Sequence, residues 1–164
     1  MTVAETIGHM ARHPMRFLMT QWNWKAGLLS ALLRGAIFFG STLSVGAAAA
    51  ARTLMVDAAF RVPMAGVCAA IVQALRWAEP RWLATAIVLL GVPALSHTVE
   101  IGVHVTAATP ALWRAVAGSV ALSIASSAVE LVLMRHGVMT VGPGSGSPAS
   151  DIRRLVRLLR TGGA

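Results

Sequence analysis

Negative charge is what this chain has least of: Asp and Glu together number six, and all charged residues make up 12% of 164 positions. Soluble domains carry about 25%, so the sequence lacks the polar surface that an ordinary wet bundle needs. A single cysteine, Cys68, excludes an internal disulfide framework and any Cys-based metal knuckle. Its apolar neighbours make it a poor thiolate, so packing is its expected role. No nucleotide-binding loop, paired His-box, catalytic signature or convincing internal repeat occurs, which points away from the motif-bearing enzyme classes.

What is present is apolar. Hydrophobic residues reach 56% with a mean hydropathy of +0.70, and the charges cluster between long apolar stretches instead of recurring every helical turn. About 20 apolar residues cross a bilayer as a helix, and four stretches approach that length: 26–50, 58–77, 82–105 and 110–133. The expected fold is therefore an all-α, polytopic integral membrane protein, a four-transmembrane-helix bundle within residues 26–134. It is preceded by an interfacial segment over 1–25 and followed by a flexible Gly/Ser/Pro linker over 135–149 and a short amphipathic helix within 150–164. The small residues of "VGAAAAA" also suit a cleaved signal peptide. The 25-residue polar lead and the length of the apolar run argue against one.

The net charge of +8 comes from thirteen arginines and Lys25, and its placement favours a membrane over nucleic acid. Arg12, Arg16, Lys25, Arg76, Arg81, Arg135, Arg153, Arg154, Arg157 and Arg160 fall on one side of the expected bundle; Arg52, Arg61 and Arg114 fall on the other. Positive-inside bias then predicts both termini in the cytoplasm. Trp22, Trp24, Trp77 and Trp82 mark the inner interface and Trp113 the outer. Abundant alanine and the near absence of lysine suggest a GC-rich bacterial source, hence a bacterial cytoplasmic membrane.

Polar residues inside the apolar stretches are the candidate site. In "LSHTVEIGVH", His97, Glu100 and His104 project at about 0°, 300° and 340° at 100° per residue, a single stripe. Asp57 and Arg61 lie at matching depth on the second stretch, and Arg34 and Glu130 form a second polar set in the opposite half. Intramembrane charge avoids lipid, so these residues should face protein or a water-filled path. Pro93, one turn from His97, leaves the Leu89 carbonyl without its helical partner and predicts a kink.

Three functions use the same residues. The leading expectation is transport or permeation of a small solute, ion or proton. The alternatives are a non-catalytic accessory or interaction protein whose polar residues only specify packing, and a metal-dependent membrane enzyme or redox protein using His97, Glu100 and His104 as ligands. No cofactor is required by the sequence, and a haem held by two histidines is disfavoured because His9, His13 and His136 lie outside the apolar stretches.

Two partner surfaces complete the reading. The small-residue stripe Ala115, Ser119, Ser123 and Ser127 suits an internal seam or a homodimer contact. On the tail helix, with Ser150 as its expected N-cap, Ile152, Leu155, Val156 and Leu159 oppose Arg153, Arg154, Arg157 and Arg160. That pattern suits anionic lipid.

Overall fold

In the computed structural model, residues 1–29, 32, 46–106 and 112–161 are described, and the fold is helical throughout. Helix α1 (Val3–Arg12) opens on a capping box. Thr2 Oγ1 accepts from the Glu5 amide at 3.2 Å while the Glu5 carboxylate accepts from the Thr2 amide at 2.8 Å. Helix α2 (Pro14–Gln21) starts with proline at its first position, where the missing N–H costs nothing. A short helical stretch, α3, follows over 24–29.

Helix α4 (Ala47–Leu75) is the longest, and it runs through Pro63 without ending. Helix α5 (Arg81–Ala86) passes directly into a π-helical turn (Ile87–Gly91) and then α6 (Val92–Thr106). The Val92 amide donates to the Ile87 carbonyl five residues back, immediately before Pro93. The ring therefore enters at a point where the helical register has already been widened.

Helix α7 (Leu112–Arg135) ends in a Schellman motif. The Val138 amide donates to Leu133 O at 2.9 Å, the Gly137 amide to Met134 O at 3.1 Å, and Gly137 takes the positive φ of 70° that the motif requires. Helix α8 (Pro148–Thr161) closes the chain. Its cap is Ser147, whose Oγ accepts from the Ser150 amide at 3.3 Å. That is one turn earlier than the expected Ser150, because Pro148 is pre-shaped for a first helical position.

The core sits where the C-terminal halves of α4 and α7 pack against α5 and the π turn. Val72, Leu75, Val88 and Met134 are all at most 1% exposed. Each such side chain contributes about 1.5–3 kcal/mol of transfer free energy. Two glycines let backbones close in. A Cβ on Gly27 would lie 2.8 Å from Val62 O, and one on Gly66 would collide with the indole of Trp22.

The expected four-span bundle is overturned. Among the described residues one helical stretch, Arg81–Val99, is long and apolar enough to cross a bilayer, and only 28% of it is buried. In α4 the apolar helix among the described residues is Val62–Leu75, too short to cross, and Arg61 stands inside the expected span 58–77. On α7 the side chains of residues 112–119, 121 and 122 lie outside the described set. Most of the expected first span, Arg34 included, lies outside the described residues. The multi-pass placement in a bacterial cytoplasmic membrane, with both termini inside, falls with the four spans that supported it.

Candidate functional site

Of the expected polar stripe, His97 has a described environment. It is 5% exposed, and its Nε2 lies 3.1 Å from Ser123 Oγ, joining α6 to α7. Glu100, His104, Asp57 and Arg61 occupy helical positions on α6 and α4, but their side chains lie outside the described set. Among the described residues no group of three His, Cys, Asp or Glu side chains gathers as a metal site. Ser123 and buried Ser127, the described half of the small-residue stripe, pack within the chain.

One turn beyond Ser127 on α7, the Glu130 carboxyl lies near Cys68 of α4, whose thiol is also hydrogen-bonded to Ser96 of α6. Burial raises the Glu130 carboxyl from 4.5 to about 7. The Cys68 thiol rises to about 11, chiefly through burial and then through the neighbouring Glu130 charge, with a Ser96 hydrogen bond opposing the rise. Cys68 is therefore protonated near neutrality, consistent with a packing role.

The most heavily hydrogen-bonded region among the described residues is elsewhere, where the chain between α2 and α3, the C-terminal end of α4 and the tail meet. Asn23, fully buried, donates from Nδ2 to Met139 O at 2.8 Å and to Gln73 Oε1 at 3.3 Å, and its Oδ1 accepts from the Ala26 amide at 3.1 Å. Gln73 accepts from the Val141 amide at 2.8 Å and donates to Val141 O and Gln21 Oε1 at 2.9 and 3.1 Å. Lys25 Nζ reaches Asp151 Oδ2 at 2.7 Å and also donates to Gly146 O. Both side chains are about 95% buried, so this ion pair is shielded from solvent screening.

Sequence reasoning missed this clamp. In the sequence Lys25 counts only among the basic residues on one side of the expected bundle, and Asp151 is not singled out. The available signal was that the single lysine borders an apolar stretch and that the strongly basic tail carries one acid.

The clamp fixes which way α8 faces. Asp151 is buried and Leu155 and Leu158 are half-buried, so one side of the helix is turned inward. At 100° per residue Ile152, Val156 and Leu159 lie roughly a quarter turn away, and they are 63%, 41% and 75% exposed. Arg153, Arg154, Arg157 and Arg160 fill the adjoining arc and are all exposed, with Arg154 Nη1 donating to Gly137 O at 3.0 Å. An exposed apolar ridge beside a basic arc is chemically suited to a surface that is anionic outside and greasy beneath. No family model, curated protein or solved structure matches the chain.

Proposed function

We propose that this chain is a non-catalytic helical interaction protein that attaches to an anionic lipid surface through α8. The observation that carries the reading is the buried Lys25–Asp151 pair, which holds α8 against the body while Ile152, Val156 and Leu159 stand exposed beside four arginines. A soluble surface helix normally turns its apolar stripe to the core; here much of that stripe faces away from it. Each arginine near an anionic leaflet contributes about 1 kcal/mol. The three apolar side chains add burial in the headgroup boundary.

The permeation reading has less support. It needs Glu100 and His104, whose side chains lie outside the described set, and its described member, His97, is buried against Ser123.

Flotation of the full chain with neutral and with anionic phosphatidylglycerol vesicles tests the attachment. Binding should favour anionic vesicles and weaken as salt is raised. Replacing Arg153 and Arg160 together with alanine should reduce affinity about thirtyfold, from about 1 kcal/mol lost per arginine. Equal binding to both vesicle types, unaffected by that double substitution, would overturn the reading.

A further inference from the structure

A cavity of about 600 Å³ opens between α1, α2 and the C-terminal end of α4, within the size range of small-molecule sites. Its wall is divided by chemistry. Met10, Phe17, Ala74 and Trp77 supply an apolar side, of which Phe17 is only 8% exposed, and His9, Arg16, Thr20 and Gln21 supply the polar side.

The polar side carries no carboxylate, and its open donors are those of Arg16 and Gln21, the Thr20 hydroxyl proton being already used. No acidic residue lines the cavity, and among the described residues Arg16 has no ion-pair partner. Gln21 commits its carbonyl oxygen to Gln73, which leaves its amide N–H groups as the remaining capacity. Thr20 commits its hydroxyl proton to the Arg16 and Phe17 carbonyls. Arginine beside an amide donor is the chemistry that recognises a carboxylate or phosphate. Methionine and aromatic walls accept a flexible hydrocarbon tail.

We infer that this cavity binds a single-chain amphipathic anion, an alkyl carboxylate or alkyl phosphate, with the head at Arg16 and the chain along Phe17, Ala74 and Trp77. The site is separate from α8 and does not depend on attachment to a lipid surface.

Titration calorimetry of the full chain with octyl phosphate, octanoate, octanol and inorganic phosphate tests the inference. Octyl phosphate and octanoate should bind with one-to-one stoichiometry, and octanol and inorganic phosphate should each be at least about tenfold weaker, since charge-assisted bonds and tail burial both contribute. Arg16→Gln, at an exposed position, should bring octyl phosphate down to the affinity of octanol. Ala74→Leu, which adds bulk to the apolar wall, should weaken both. Ile152→Asp on α8 should change neither, so that failure of lipid attachment and failure of this site remain distinguishable. Octanol binding as tightly as octyl phosphate, or octyl phosphate affinity unchanged by Ala74→Leu in a protein of normal helical content, would overturn the inference.

Discussion

Asp151 and Glu130 are both largely buried acids, and the chain treats them differently. Asp151 is matched by Lys25 at 2.7 Å through Oδ2, while its Oδ1 is buried without a hydrogen bond among the described residues, and Asn23, Gln73 and the backbone of 139–146 are hydrogen-bonded nearby. Glu130 sits where α4, α6 and α7 meet beside Cys68, and burial alone raises its carboxyl to about 7. The first region positions an element; the second holds a group that titrates near neutrality. Breaking a buried pair leaves an uncompensated charge, whereas neutralising a lone buried acid removes a cost.

The largest expected effect is at the clamp. Lys25→Met strands the Asp151 carboxylate and should destabilise the protein by about 3–5 kcal/mol. The same substitution should expose 142–147 to proteolysis, because Lys25 no longer holds Gly146 and Asp151. The double variant Lys25→Met, Asp151→Leu should recover most of that loss in a chemical unfolding titration. No recovery would mean that the pair's ionic character, and not its packing, positions α8.

Next in size is Glu130→Gln. The folded carboxyl binds its proton more tightly than the unfolded one, so the favourable contribution is fully present below pH 4.5 and is lost as pH rises to about 7. Wild-type stability should fall across that window by on the order of 2–3 kcal/mol. The variant should show a flat profile there and be the more stable protein above it. Unfolding curves at several pH values measure this, and parallel profiles would remove the distinction between the two acids.

Gln73→Leu should cost about 1–3 kcal/mol by leaving the Val141 amide without its side-chain acceptor and removing one of the bonds that Asn23 donates. Hydrogen exchange at Val141 should rise with it. The smallest effect is expected for Ser123→Ala, about 1 kcal/mol, since it removes one hydrogen bond from His97 while α6 and α7 keep their other packing.

Much of the helical layout was legible. The tail pattern "DIRRLVRLLR" indicates α8 and its two faces, although its cap is Ser147 and not the expected Ser150, and Pro93, where a kink is expected, follows a π turn; α1 and α2 lie in a segment that reads only as interfacial. The count of membrane spans was not: the expected second span, 58–77, runs across Arg61, whereas the apolar part of α4 among the described residues is Val62–Leu75. The clamp was hidden for a different reason: Lys25 and Asp151 are 126 residues apart, and pairing across that distance has no local periodic signature. His97 stands out in the sequence as a polar residue in an apolar stretch, but its partner Ser123 reads there as part of a small-residue stripe.

The central claim, that α8 is held with its apolar ridge and arginines toward anionic lipid, is tested most directly by position along that helix. In a Cys68→Ala background, an environment-sensitive fluorophore attached at Leu159→Cys should shift to the blue on anionic vesicles and be quenched by a lipid-borne quencher. The same probe at Leu155→Cys, half-buried against the body, should respond far less. Equal responses at both positions, or none at Leu159→Cys, would contradict the account.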